Sequence, residues 1–164
     1  MDMQAGAHIF SDHVVMGENC TISVGAIIGV EGLALKRRPD NTFELREHKG
    51  RVVLKDRVHV GASTIIQRGV TGDTVIGEGT HIGPMCNIGH DVHIGKNCRI
   101  TGMNQINGYT IIGDNVYMAP GCNILNRLKI GSGAYIGIGS LVMHDVPENA
   151  VVYGRPAKPK GERQ

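Results

Sequence analysis

From residue 76 to residue 142 the chain places an aliphatic side chain at every sixth position: Ile76, Ile82, Ile88, Ile94, Ile100, Ile106, Ile112, Met118, Ile124, Ile130, Ile136 and Val142. None of these positions is polar. Seven of them are followed by glycine, at Gly77, Gly83, Gly89, Gly95, Gly113, Gly131 and Gly137, where a tight turn would need a residue without a Cβ. Two residues before each aliphatic lies a second position that faces the same way, because side chains alternate along a strand. It holds mainly small residues, namely Thr74, Thr80, Cys86, Cys98, Thr110, Val116, Cys122, Ala134 and Ser140, with Asn104 and Leu128 as looser members. A helix is excluded, since a period of six matches neither the 3.6-residue turn nor a heptad and the glycines would break it. The pattern predicts short strands separated by corners, three hexads closing one triangular coil.

The same period runs through Phe10, Met16, Ile22 and Ile28, and again through Leu54, Val60 and Ile66, followed by a ten-residue step to Ile76. Two interruptions therefore divide the solenoid. The one at 67–75 is short. The other, 31–50, loses the period and gains charge, so it is expected to project as a loop or hairpin, and such insertions commonly carry function. A tail follows from 146 to 164. One all-β domain, a parallel β-helix of hexapeptide repeats with one projecting loop and a short C-terminal tail, is expected to account for residues 1–164.

Composition supports this picture. There are 24 glycines, no tryptophan and only six Phe or Tyr, so an aromatic-centred core is not expected. Charge is nearly balanced at +2, which points to neither a nucleic-acid surface nor an anionic membrane. No apolar run is long enough to cross a membrane, and the opening residues lack the pattern of a signal peptide, so a cytoplasmic home is expected. Cys20, Cys86, Cys98 and Cys122 all fall on the small inward position, which predicts packed thiols rather than disulfides or a zinc site.

Residues 50–100, from GRVVLKDRVHVGAS to IGKNCRI, closely resemble the UDP-3-O-acylglucosamine N-acyltransferases, and GSLVMHDVPENAVVYGRPAKPK at 139–160 resembles the coenzyme A-dependent sugar acetyltransferases, including the sialic acid O-acetyltransferase-like enzymes. Both belong to the hexapeptide acyltransferases. That resemblance implies a left-handed parallel β-helix, a homotrimer and acyl transfer to a sugar. Two departures follow from the first family's pattern. With ten residues before the first hexad, its uridine-binding domain is not expected here, and Arg127 stands where it has a second active-site histidine. The C-terminal motif implies acetyl-CoA as donor, with an amino sugar, nucleotide-linked, as acceptor. Sugar O-acetylation and an acyl carrier protein donor are the alternatives.

Acyl transfer from a thioester needs a base for the nucleophile's proton and a donor for the oxyanion. His90, two residues past Ile88 at a corner, matches the catalytic base of the resembling families. Asp91 is placed to orient its imidazole, and simple solvation of a corner carboxylate is the competing account. Gly108, eighteen residues on, is assigned by the resemblance to the oxyanion hole. Asn87, Gln105 and Asn123 form an outward ladder that could line the acceptor groove or merely bond to itself. Lys36, Arg37 and Arg38 could meet a nucleotide diphosphate or form a solvated charge run. Asn126, Arg155, Pro156, Lys158 and Lys160 are the donor-side candidates that the resemblance implies, with the tail expected along the groove leading to His90. His59, His81 and His93 point outward, to solvent or a trimer contact. The zinc-dependent γ-carbonic anhydrases share the fold, but five residues after His90, where that family has a ligand, stands Gly95, so no metal is expected. A noncatalytic scaffold is the remaining alternative, since function does not follow from fold.

Overall fold

In the computed structural model, which describes residues 2–162, the hexads wind into a three-sided parallel β-helix. Face A carries nine strands, face B seven and face C six, and a two-stranded hairpin stands apart from all three. Neighbouring strands of a face are parallel and one coil apart, except for the antiparallel pair that ends face A. On face A, His81 pairs with Arg99 and Arg99 with Tyr117. On face B, Asn87 pairs with Gln105 and Gln105 with Asn123, and on face C His93 pairs with Ile111.

The aliphatic column forms the core, and every member from Ile76 to Val142 is at most 2% exposed. A buried Ile contributes about 1.5–3 kcal/mol, so this column is the main source of stability. The small column beside it is a hydrogen-bonded ladder. Thr80 Oγ1 donates to the Gly95 carbonyl at 2.7 Å and accepts from the Cys98 N–H at 3.0 Å, and Cys98 Sγ donates to the Gly113 carbonyl at 3.0 Å. Thiols and hydroxyls thus do one job, bonding backbone carbonyls and N–H groups, mostly in a neighbouring coil, although the Ser140 hydroxyl donates to the Gly137 carbonyl of its own coil at 2.6 Å. Asn104 is a full member, 1% exposed, bonding the Thr101 carbonyl and the Cys122 N–H at 2.7 Å each. Leu128 is only partly buried, although it packs against the core. The four cysteines are free and buried.

The glycines that follow the aliphatics serve a different purpose from the one expected. A Cβ at Gly77 would lie 2.3 Å from the Gly95 carbonyl oxygen of the next coil, so it is the stacking of corners that excludes a side chain. The left-handed backbone comes two residues later, at Gly79, Met85, Asp91, Asn97, Met103, Tyr109, Asn115 and Arg127 among others.

The period also slips in the first coil. Phe10 is 39% exposed, and Ile9 pairs with Ile28 in its place, because a 3-10 turn at Ser11–His13 adds a residue before Val14–Met16. The segment 31–50 is a hairpin, with Leu35–Arg37 antiparallel to Phe43–Leu45. The tail forms a second hairpin, Ala150–Gly154 with Ala157–Glu162, added to the end of face A; residues 163–164 of the expected tail lie outside the described residues.

The three corners differ in chemistry. The corner between faces C and A carries Glu18, Asp56, Glu78, Lys96, Asp114 and Glu148. The corner between A and B carries no charge over Val24, Ala62, Pro84, Met85, Gly102, Met103, Pro120 and Ile138. The corner between B and C receives every irregularity: the 3-10 turn, the projecting hairpin and the ten-residue step all leave face B and rejoin face C.

Candidate active site at the corner between faces B and C

His90 sits at this corner directly below both interruptions. Its Nδ1 lies 2.9 Å from Asp91 Oδ2, and its side chain keeps 19% exposure against 6% for Asp91. The short step explains why Asp91 is buried. Leaving the period at Gln67 turns three backbone N–H groups inward: Val70 donates to Oδ2 at 2.7 Å, and Thr71 and Gly72 donate to Oδ1 at 3.0 and 2.8 Å. The Thr71 hydroxyl adds a bond at 2.7 Å. Asp91 is therefore a buried, fully bonded carboxylate and not a solvated corner charge. Burial alone would raise its pKa, but the Gly72 N–H, the Thr71 hydroxyl, the Val70 N–H and His90 together outweigh that and hold it well below the usual carboxylate range.

An ionised acceptor at Nδ1 fixes that nitrogen as the donor and leaves Nε2 with a lone pair facing the pocket. Gly108 lies against the ring. A Cβ there would be 2.8 Å from Nε2, so any other residue would push the imidazole aside. The Gly108 N–H has no acceptor among the described residues. Tyr109 meets the His90 ring edge-on at 5.0 Å, and Arg127 covers the Tyr109 ring at 4.4 Å. A pocket of about 220 Å³ is bounded by His90, Gly108, Tyr109 and Asn126 on the coil and by Leu33, Ala34, Leu35 and Arg46 from the hairpin.

The structure thus gathers His90, Asp91, Gly108 and Asn126, which occupy one corner in successive coils. Asn87, Gln105 and Asn123 stack on the adjoining face B, with Asn107 bonding both Gln105 and Asn123 at 3.1 and 3.2 Å. Arg37 and Arg38 do not reach the pocket. Arg38 pairs with Glu44 at 2.7 Å and Arg37 lies over Phe43 at 5.2 Å, both within the hairpin. The tail does not run beside His90 of its own chain either, because it extends face A. Arg155 donates to the Gly139 carbonyl at 3.2 Å, Lys160 lies over Tyr153, and Pro156 and Lys158 complete that hairpin. On face A, His59 and His81 stack at 5.6 Å, while His93 on face C bonds the Asp73 carbonyl at 3.0 Å.

His48 and Arg46 are functional candidates that the sequence did not reveal. Both lie off the six-residue period, so no pattern marks their direction. His48 is 3% exposed, accepts the Gly32 N–H at 3.1 Å through Nε2, and stands edge-on to His90 at 6.1 Å.

Fold and site together define a hexapeptide-repeat β-helix protein, and residues 73–108 match the family model described as bacterial transferase hexapeptide (six repeats). The chain carries that repeat. It is 46% identical over 157 residues to the UDP-3-O-acylglucosamine N-acyltransferase of Rhizobium meliloti (strain 1021), an alignment covering 96% of this chain and 44% of that protein. The chain therefore spans less than half the length of the curated relatives it matches. A UDP-N-acetylglucosamine acyltransferase from Bacteroides fragilis 9343 superposes with a TM-score of 0.87 at 23% identity, covering 98% of this chain and 60% of the other. The acetyltransferase domain of PglB from Neisseria gonorrhoeae FA1090, in complex with acetyl coenzyme A, gives 0.51 at 22% identity, covering 90% and 58%. The shared fold is a left-handed parallel β-helix. Among the described residues no helix is long and apolar enough to cross a membrane.

Proposed function

We propose that this chain is an acyltransferase that moves an acetyl group from acetyl-CoA to the amino group of a nucleotide-linked amino sugar. The observation that carries the reading is the His90–Asp91 pair with the Gly108 N–H beside it. The amine attacks the thioester carbonyl and loses a proton to His90 Nε2, while Asp91 stabilises the imidazolium through Nδ1–H. The tetrahedral oxyanion is met by the Gly108 N–H. Collapse breaks the carbon–sulfur bond, and the departing thiolate takes the proton back from Nε2, leaving amide and free thiol. A pocket of about 220 Å³ suits a short acyl group better than a long chain.

The reading includes a homotrimer in the cytoplasm, where coenzyme A thioesters and nucleotide sugars are available. Met85, Met103 and Ile138 on the uncharged corner are 57%, 58% and 75% exposed, and closed symmetry would cover them. Such an assembly is also the route by which one protomer's Arg155, Lys158 and Lys160 would reach a neighbour's donor groove. The test is a donor and acceptor screen that follows thiol release. Acetyl-CoA with a nucleotide-linked amino sugar should give acceptor-dependent release. Turnover of acyl carrier protein thioesters alone would overturn the donor, and acetylation of a sugar hydroxyl would overturn the amine.

A further inference from the structure

Arg46 is the one arginine among the described residues whose guanidinium has no protein partner. Arg38, Arg51, Arg57 and Arg68 pair with Glu44, Asp73, Glu78 and Glu31. Arg37, Arg99 and Arg127 lie over aromatic rings, and Arg155 bonds a carbonyl. Arg46 instead borders two adjoining spaces. One is the His90 pocket. The other is a cleft of about 650 Å³ beside the hairpin, lined also by Leu35, Lys36, Lys49 and Thr71 and by two carboxylates, Glu47 and Glu44, the second of which Arg38 and Lys36 already hold. Lys49 likewise has no side-chain partner among the described residues, whereas Lys36 is drawn to Glu44 at 3.9 Å.

The backbone that carries Arg46 is fixed from within. His48 Nε2 accepts the Gly32 N–H at 3.1 Å, and its Nδ1 lies 3.2 Å from the Arg46 carbonyl. A ring that accepts at one nitrogen and donates at the other is the neutral Nδ1–H tautomer. It ties the two ends of the segment that supplies Leu33, Ala34, Leu35 and Arg46 to the pocket wall. The Arg46 N–H adds a bond to the Ala34 carbonyl at 2.8 Å. An unpaired guanidinium, held on a clamped backbone between a catalytic pocket and a second cleft, is arranged to bind an anion. Its planar fork suits phosphate oxygens, and Lys49 adds a second charge.

We propose that Arg46, with Lys49, binds the diphosphate of the acceptor, and that His48 is the positioning residue that holds Arg46 over His90. This rests on the nucleotide-sugar reading above and assigns the phosphate contact to the neck of the hairpin rather than to Arg37 and Arg38 at its far end. With the diphosphate at Arg46, the sugar extends into the pocket toward Nε2.

The test is calorimetric titration of the full chain with UDP alone, which is independent of turnover. Arg46→Gln should weaken UDP binding by roughly tenfold or more, the loss expected of a charge-assisted contact. Lys49→Gln should weaken it less, and Arg57→Gln, on the far corner, should leave it unchanged. In turnover, Arg46→Gln and His48→Gln should raise KM for the nucleotide sugar and leave KM for acetyl-CoA in place. His48→Gln should also speed tryptic cutting after Lys36, Arg37 or Arg38 without lowering the melting temperature. If that variant fails to fold, His48→Asn, which keeps a donor near the Nδ1 position, should restore both folding and acceptor KM. UDP binding that is unchanged in Arg46→Gln, absent from the wild type, or equally weakened by Arg38→Gln overturns the assignment. Arg46-dependent UDP binding without acyl transfer would instead leave it standing and overturn the acyltransferase reading.

Discussion

The corner between faces C and A and the corner between faces B and C are built by the same hexads and both cap neighbouring coils with carboxylates, Asp73 and Asp145 doing so at the second, but Asp91 there is used in the opposite way. At the first, Asp56 accepts one N–H, from Glu18 at 2.9 Å, and Asp114 accepts one, from Lys96 at 2.7 Å. Each is a cap between neighbouring coils, open to solvent. At the second, Asp91 takes three N–H groups, a hydroxyl and an imidazole, and is buried. The extra donors exist only because the ten-residue step departs from the period. Regular corners stack coils; the irregular corner turns a stacking carboxylate into one that holds a histidine. Insertion and candidate site coincide because surplus residues can project side chains and N–H groups that a tight corner cannot.

This comparison can be broken most sharply at His90. His90→Ala should lower kcat by about 10² or more, the usual contribution of a general base, while the melting temperature stays near that of the wild type. A folded variant with full activity would remove the corner from the chemistry. Gly108→Ala should displace the imidazole, since its Cβ would meet Nε2 at 2.8 Å, and misplacement on the order of 1 Å can cost up to about 10² in rate. Unchanged kcat in that variant would show that ring and glycine are not in register during turnover.

Asp91→Asn tests the burial itself. Losing a charged acceptor for several donors should cost about 1.5–3 kcal/mol in denaturant unfolding. Because the folded-state pKa of Asp91 is depressed, its contribution is fully present above the unfolded value of about 3.9 and is lost as pH falls through the lower folded value. The stability gap between wild type and Asp91→Asn should therefore narrow below about pH 4 and stay level above about pH 5. A gap that widens on acidification would refute the ionised carboxylate. At the other corner Glu78→Ala removes only the exposed pair with Arg57, and should change stability by no more than about 0.5 kcal/mol and activity not at all.

The coil, its inward columns, the site of the hairpin and the alignment of His90 and Gly108 on one edge were legible because strict periodicity fixes which way each side chain points, whereas Asn126 and the roles of all three came from the family resemblance. Legibility failed wherever the period did. Phe10 was placed inside because a 3-10 turn added one residue unannounced by composition. The donors at 70–72 were invisible, since backbone N–H groups leave no mark on a sequence. His48 and Arg46 lie in a segment whose direction only the hairpin pairing sets. Arg37 and Arg38 drew attention as the densest charge, yet their partners Phe43 and Glu44 are supplied by cross-strand neighbours. The tail motif said nothing of where its strand would pair.

The central claim, that acyl transfer occurs at the irregular corner, is tested most directly by a crystal structure of the full chain with coenzyme A. The thiol sulfur should lie within hydrogen-bond reach of His90 Nε2, roughly 3.5 Å, beside the Gly108 N–H. A coenzyme ordered with its thiol on the charged corner, or on a face far from His90, would contradict the account.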